Sequence, residues 1–419
     1  LADKHQACPY CGFTAPKIKE YVTKEITHSA LTTQKCIIKY RARRYKCSCC
    51  GKTYYEFNPF VFKSQKISIL TVHNILKDLK DFNETFTSVA RRYHVSPTSV
   101  STIFDNHVDI GRNPLPEIIN FDEVYAFKSE KSKYVCVLLD FKKQIPVDVL
   151  PNRKKEYLLN YFQKIPLEER KKVKYACSDM YEVYRDVVHK VFPEAKHLLD
   201  YFHLSQDFHK KMNEVRIKVM KGYKDNKASD EYYLLKKFNW LLFKNPEDED
   251  KYGRLFDVER ERKYNSHFKS YMNYYDLRKK LLEINNDLTI CYSLKLELVD
   301  FYSKSTIDNA KVNLENLIRS CIDTNIDEMI AFSNNLINWK QEIINSFTIV
   351  GTEYKVEADK GQVVVCNKKV NNAIIENRNK IIKCIKNNAN GYTNWLRFRN
   401  RVMYVLDPNA TFSLEPREK

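Results

Sequence analysis

Between residues 117 and 200 the chain alternates in an order that leaves few folds open. Glu117-Ile118-Ile119-Asn120-Phe121-Asp122-Glu123 is a short apolar strand that ends in acids. Lys133 to Asp140 and Ile145 to Leu150 read as two more strands, rich in Val and Leu. A helix over Lys154 to Gln163 follows. Val173 to Asp179 is a fourth strand, again closed by an acid, and a helix over Tyr181 to Val191 leads into the fifth strand, Lys196 to Asp200. Three strands in succession, then helix, strand, helix, strand, implies one sheet with helices packed on it.

That order is the order of a ribonuclease H-like fold. In such a sheet the first and fourth strands lie side by side, about 4.8 Å apart. Asp122 and Asp179 are then placed to bridge one divalent ion, and a third carboxylate from a helix would hold a second. Attack on a phosphodiester puts charge on both the attacking and the leaving oxygen. Two hard cations about 3.5–4 Å apart stabilise both, and carboxylates are the ligands such ions prefer. Asp200 competes with Asp179 as the second ligand, but its strand lies one place further out. It is therefore given a supporting role with His203, orienting the site or capping the next helix. Asp140, on the other neighbour of the first strand, is an outer candidate, and Glu123 points to the face opposite Asp122.

Two modules precede this core. Cys8-Pro9-Tyr10-Cys11-Gly12 and Cys47-Ser48-Cys49-Cys50-Gly51 are Cys-x-x-Cys-Gly knuckles, each pointing two thiolates at one ion with a glycine for the tight turn. Cys8, Cys11, Cys47 and Cys50 make a four-sulfur site for one structural Zn²⁺, with Cys49 either a rival to Cys50 or a bystander. The other seven of the twelve cysteines, Cys36, Cys136, Cys177, Cys291, Cys321, Cys366 and Cys384, are expected as buried small hydrophobes. Around the second knuckle Lys39, Arg41, Arg43, Arg44, Lys46 and Lys52 form a belt suited to phosphate contacts. Phe86 to Phe104 then has the pattern of a helix-turn-helix. Thr87 is the expected cap of its first helix. Ser96 caps the second, with Pro97 in the first helical position. Val89, Ala90, Tyr93, Val100, Ile103 and Phe104 face inward, leaving Thr98, Ser99, Ser101 and Thr102 outward to meet base edges.

The zones are 1–58 (zinc-binding), 59–112 (helix-turn-helix), 113–210 (first part of the core), 211–365 (a helical insertion) and 366–419 (return to the core, and tail). The fold class is multidomain α+β, its α/β core interrupted by an all-helical insertion. That insertion is expected to serve chiefly in packing, with DNA contacts or dimerisation as its alternative roles. A charge of +18, from 71 Lys and Arg against 53 Asp and Glu, favours a polyanionic partner. No apolar run reaches membrane-spanning length, and the visible start has no signal-peptide core, so a cytoplasmic, nucleoid-associated protein is the expectation.

These motifs together resemble the bacterial insertion-sequence transposases of the ISL-three type. The resemblance is carried by Phe121-Asp122-Glu123, Asp179-Met180-Tyr181 with Tyr184-Arg185, Phe192-Pro193-Glu194-Ala195 and Asp200-Tyr201-Phe202-His203. It is carried also by Ile375-Glu376-Asn377-Arg378-Asn379-Lys380 with Gly391-Tyr392-Thr393-Asn394, and by the knuckles and helix-turn-helix. It implies a DDE recombinase in which Asp122, Asp179 and Glu376 hold two Mg²⁺ or Mn²⁺ ions, with a helical insertion before the Glu. One departure stands out: the family usually has Gly after the catalytic Glu, where this chain has Asn377. Arg378, Lys380 and Lys383 follow on the same helix and suit a DNA backbone. The implied activity is cleavage and strand transfer at terminal inverted repeats, on double-stranded end and target DNA, and two matched ends imply a homodimer. The competing reading is a transposase-derived DNA-binding regulator without catalysis.

Overall fold

The computed structural model describes residues 7–29, 34–62, 65–127, 132–356 and 363–417. The chain opens with a three-stranded antiparallel sheet, β1 (Lys17–Thr27), β2 (Ile37–Lys46) and β3 (Thr53–Tyr55), in that order. Its small core is split in two: Ile26, Tyr40 and Ala42 form one cluster, and Tyr45 and Tyr54 pack with Cys8 and Cys47 in the other. So little apolar area is marginal by itself, and a bound metal is the usual remedy at this size.

Helices α1 (Ile69–Asp78), α2 (Phe86–Arg92) and α3 (Pro97–His107) follow. Ser96 caps α3 with Pro97 in the first turn, as the sequence indicates. The cap of α2 is Thr85, not Thr87. Thr85 and Ser88 form a reciprocal capping box, which places Thr87 inside the first turn. Val89, Ala90, Tyr93, Val100, Ile103 and Phe104 are buried together with Val72, Ile75 and Leu76 of α1.

Strands β4 (Ile118–Val124), β5 (Val135–Asp140) and β6 (Pro146–Leu150), helices α4 (Lys155–Gln163) and α5 (Leu167–Arg170), β7 (Tyr175–Ser178), α6 (Glu182–Val191) and β8 (Lys196–Leu199) come next. The five strands form one sheet in the order β6-β5-β4-β7-β8, which sets the first and fourth strands side by side as expected. β5 and β6 are antiparallel, whereas β4, β7 and β8 run parallel. Every residue of β5 and β6 is buried, which explains their unbroken Val and Leu runs.

Beyond the sheet lie α7 (Tyr201–Lys221), α8 (Asp230–Lys237), the short strands β9 (Glu249–Asp250), β10 (Gly253–Arg254), β11 (Lys263–Asn265) and β12 (Ser270–Met272), then α9 (Tyr274–Glu283), α10 (Asn286–Lys304), α11 (Ala310–Asp323), α12 (Asp327–Asn338) and α13 (Lys340–Asn345). A hairpin, β13 (Ile349–Val356) and β14 (Val363–Lys369), precedes α14 (Ala373–Asn388) and α15 (Trp395–Leu406). The insertion is therefore not all-helical. It carries two short strand pairs, and a two-stranded sheet closes it and crosses the expected boundary at 365. Its helices share a core that includes Phe208, Met212, Leu288, Leu298, Leu314, Phe332 and Leu336.

The chain divides into two compact units. One contains Leu1–Pro116, Asp122–Leu158 and Ile374–Lys419, and the other Glu117–Phe121 and Leu159–Ala373, so the division runs through β4. In the first unit α14 and α15 bury Ile375, Ile382, Ile385, Phe398 and Val402 against Val124, Val135, Val137, Leu139 and Val149. The same α15 is tied to the three-helix bundle. Arg397 forks onto Asp105 of α3 (2.9 and 2.6 Å), the buried Arg401 donates to the carbonyls of Asp81 and Glu84 (2.8 Å each), and Tyr404 Oη donates to Leu76 O (3.0 Å). The tail thus completes the helix-turn-helix as well as covering the strands. Among the described residues no helix is long and apolar enough to cross a membrane. Of the scattered cysteines Cys136, Cys177, Cys291 and Cys321 are buried as expected. Cys36 and Cys384 are exposed, against the expectation: each lies at a polar position, before β2 and on the outer face of α14. The side chain of Cys366 lies outside those described.

Candidate functional site

Asp122 sits near the end of β4 and is 9% exposed. Alternation along the strand sends its neighbour Glu123 the other way, onto Arg153. The Asp122 carboxylate is fixed at both oxygens: Oδ1 accepts from the backbone N–H of Glu123 (2.7 Å) and Oδ2 from Asn379 Nδ2 (2.7 Å). Asn379 lies on α14, three residues after Glu376, and residues three apart share a helix face. Glu376 is half-buried in the first turn, where the helix dipole favours an acid.

The turn into α14 is held by two buried asparagines. Asn120 of β4 donates through Nδ2 to Asn371 O (2.8 Å) and Asn372 Oδ1 (2.7 Å). Asn372 donates through Nδ2 to Phe121 O (3.4 Å). Asn120, Asn372 and Asn379 were all missed from sequence. The signal was present for Asn120, a lone amide inside Ile118-Ile119-Asn120-Phe121, since a polar group in a buried strand must find a partner.

At the ends of β7 and β8 stand Asp179 and Asp200. Asp179 is half-buried and Asp200 almost wholly buried. Asp200 occupies the N-cap position of α7, but its side chain makes no capping bond there. The expected capping role is therefore not seen, and Asp200 Oδ2 instead lies 3.9 Å from Nε2 of His203. Beneath Asp179, Ser178 Oγ lies 2.9 Å from His197 Nε2 and 2.9 Å from Asp179 O. The hydroxyl has one proton. Donating it to Asp179 O leaves the His197 Nε2–H to donate to Oγ. Burial pushes the His197 ring down to about 3, so it stays neutral and holds that tautomer. Asp140 serves its own turn, its Oδ1 accepting from the N–H groups of Lys142 and Lys143.

Asp122, Asp179 and Glu376 are hard oxygen donors of the kind Mg²⁺ and Mn²⁺ take. Asn379 Oδ1 adds a buried acceptor with no hydrogen-bond partner among the described residues. The Asp122 carboxylate and the Asn379 carbonyl beside it are oxygen donors of the type a divalent cation takes.

The N-terminal module brings its four cysteines together. The sulfurs of Cys8, Cys11, Cys47 and Cys50 lie within 4.8 Å of one another, with Cys8 3.7 Å from Cys50 and Cys11 3.5 Å from Cys47. Four sulfurs 2.3 Å from one tetrahedral ion would stand about 3.8 Å apart. The residues therefore fit zinc, and the fourth member is Cys50; Cys49 is exposed and outside the group. Gly12 and Gly51 take φ of 74° and 70°, the left-handed turn each knuckle requires. The N–H of Cys50 points at Cys47 Sγ and lowers that thiol to about 7, which favours the thiolate a metal needs.

The expected DNA-facing residues divide. Thr98 and Thr102 are exposed on α3 and one turn apart, whereas Ser99 is half-buried and bonded to the cap Ser96. Ser101 is not outward: it is buried, and its hydroxyl returns to Thr98 O (3.0 Å). It lies on the inner arc with Val100 and Phe104, which the four-residue outward stretch had ignored. Arg43 pairs with Glu56 (3.0 Å) and Arg44 with Glu20 (2.7 Å). On α14, Lys380 and Lys383 are exposed, while Arg378 donates to Gln144 O (3.2 Å).

A five-stranded mixed sheet with acids at its strand ends and a four-cysteine module is the frame, and comparison with known proteins gives the class. A family model described as a transposase, for DDE transposases of the ISL3 type, matches residues 119–358, more than half of the chain. Asp122, Asp179, Asp200 and His203 fall within the match, and Glu376 beyond it. The chain belongs to the ISL3 family of DDE transposases. It is similar to the transposase for insertion sequence element IS1001 of Bordetella parapertussis, 19% identical over 409 residues that cover 97% of this chain and 90% of that protein. Membership carries a DNA partner and, in general, DNA cutting and transfer.

Proposed function

We propose that this transposase binds the terminal inverted repeats of its own insertion sequence, cleaves them and joins them to target DNA. In this reading its five-stranded sheet is a ribonuclease H-like core, and Asp122, Asp179 and Glu376 hold two divalent ions. The observation that carries it is the Asp122–Asn379 hydrogen bond, which fixes the face of α14 bearing Glu376 against the end of β4. The register supports Asp179: Asn120 pairs with Cys177, and continuing two residues along each parallel strand leads to Asp122 and Asp179.

Bound Mg²⁺ would stabilise charge on the attacking and leaving oxygens. The chain's own residues prepare for it. The Glu123 N–H and the Asn379 amide hold the Asp122 carboxylate in one orientation, so no reorganisation is needed when charge develops. The neutral Ser178–His197 pair braces the backbone that presents Asp179. Thr98 and Thr102 read base edges, and Lys380 and Lys383, with Arg44 at the zinc module, contact phosphates. One structural Zn²⁺ rests on Cys8, Cys11, Cys47 and Cys50. Two ends call for two copies of the chain.

The test is strand transfer with Mg²⁺ and end DNA. Asp122→Ala, Asp179→Ala and Glu376→Ala are each expected to bind ends and neither nick nor join them. Full activity in Asp122→Ala would remove the assigned site. A wild-type protein that binds ends yet never cuts them in Mg²⁺ or Mn²⁺ would favour the silent regulator.

A further inference from the structure

Asn379 carries chemistry that the acid triad leaves unexplained. Its side chain is 5% exposed. Which end of the amide faces Asp122 is fixed by chemistry: an ionised carboxylate only accepts hydrogen bonds, so the atom 2.7 Å from Asp122 Oδ2 is the donor, Nδ2. The carbonyl Oδ1 must then point away from Asp122, and it has no hydrogen-bond partner among the described residues. A buried acceptor in that state costs on the order of 1–3 kcal/mol. Such a cost is tolerated where a ligand answers it. The nearby chemistry is anionic, with Asp122 in contact and Glu376 one turn back on the same helix face, so what answers it must be positive or carry a proton to donate.

We propose that Asn379 belongs to the metal site itself. Its amide nitrogen fixes Asp122, and its carbonyl oxygen is a neutral donor to the cation or to a water on that cation. An amide carbonyl is an accepted oxygen ligand for hard divalent ions. A neutral donor also suits a place where another carboxylate would add repulsion before metal arrives. The inference rests on the reading of Asp122 as a metal ligand. It makes Asn379 more than a brace, because a brace uses only Nδ2.

Mn²⁺ binding to the zinc-loaded full-length protein, followed by titration calorimetry and by the electron paramagnetic resonance of free Mn²⁺, tests this without recourse to activity. Asn379→Leu keeps the volume and removes both polar ends. It is expected to weaken Mn²⁺ binding about tenfold or more, the usual scale for losing a group that holds a metal ligand. Asn379→Asp keeps an oxygen but cannot donate to Asp122. Its melting temperature without metal should fall, and its rise on adding Mn²⁺ should exceed that of the wild type. Asn379→Leu binding Mn²⁺ like the wild type would overturn the proposal. If Asn379→Leu fails to fold, the aspartate variant decides: a metal-induced rise no larger than the wild type's reduces Asn379 to a brace. Asp122→Ala separates the two readings. Undiminished Mn²⁺ binding in that variant refutes the triad, whereas lost binding there with no effect at position 379 refutes only the role of Asn379.

Discussion

If the bond between Asn120 on β4 and Asn372 before α14 holds the turn into that helix, removing it should free the turn that leads to Glu376. Asn120→Ala is the direct perturbation. The side chain is fully buried and donates to Asn372 Oδ1 at 2.7 Å and Asn371 O at 2.8 Å. Truncation leaves Asn372 Oδ1 buried without its donor, which costs about 2 kcal/mol, and loses a second bond, to a partly exposed carbonyl, worth about 1 kcal/mol. The sum is about 3 kcal/mol. Since about 1.4 kcal/mol is a factor of ten, local opening should become about 100-fold more frequent. Hydrogen exchange read by mass spectrometry over peptides spanning 373–388 would show faster exchange in the first turns of α14. Asn372→Ala should do the same, because it loses the same bond plus that to Phe121 O. The double variant should then cost less than the two singles added, by about 1–2 kcal/mol, as for residues in direct contact. Strictly additive costs, or unchanged exchange in α14, would refute the lock.

Three further outcomes follow from other contacts. Replacing any of Cys8, Cys11, Cys47 or Cys50 by Ser should lower bound zinc from one ion per chain towards none by elemental analysis; Cys49→Ser should keep it, and zinc loss in that variant would mean the ligand set is misassigned. In end-binding titrations Thr98→Ala and Thr102→Ala should each cost about 1 kcal/mol, the low end of the range for a base-edge contact, while Ser101→Ala, whose hydroxyl is spent on Thr98 O, should bind as wild type. Buried His197 resists a proton down to about 3, whereas the unfolded ring takes one near 6.5. Its stabilisation is therefore complete above pH 6.5 and declines below it by about 1.4 kcal/mol per unit, or about 2 kcal/mol by pH 5. Urea midpoints at pH 5 and 7 should show this acid sensitivity shrinking in His197→Gln; an equally steep loss in that variant would place its origin elsewhere.

What could be read from the sequence was whatever depends on neighbours along the chain. The strand and helix order of 117–200, the two knuckles and the Ser96-Pro97 helix start are written in spacings of two, three and four residues, and the structure reproduces them. The errors have the same cause seen from the other side. Thr85 and Thr87 both precede an apolar-periodic run, and only the reciprocal bond to Ser88 selects the former. Ser101 was set outward by its chemistry, although its position among Val100, Ile103 and Phe104 puts it on the packed arc. The short strand pairs at 249–272 are too brief and too charged to show a period.

Contacts that bring distant segments together could not be read at all, and they decide how the site is held. Arg397 meets Asp105 across 292 residues, and Asn379 meets Asp122 across 257. Each is an ordinary polar residue on an ordinary helix until its partner is known. Yet the two helices concerned do different jobs on one set of strands. α14 brings Glu376 and Asn379 to the end of β4, and α15 fastens the same core to the helix-turn-helix through Arg397, Arg401 and Tyr404. If α3 is the element that reads the transposon end, then the residues that grip it and those that shape the Asp122 site are separated by less than thirty positions of continuous chain. Loosening the Arg397–Asp105 fork, by Asp105→Asn, should therefore weaken the coupling between end binding and cleavage more than it weakens either alone. The measurable form of that statement is cleavage per bound end, which should fall while end affinity and Mn²⁺ affinity hold. Parallel losses in all three would mean that α15 is only a structural support.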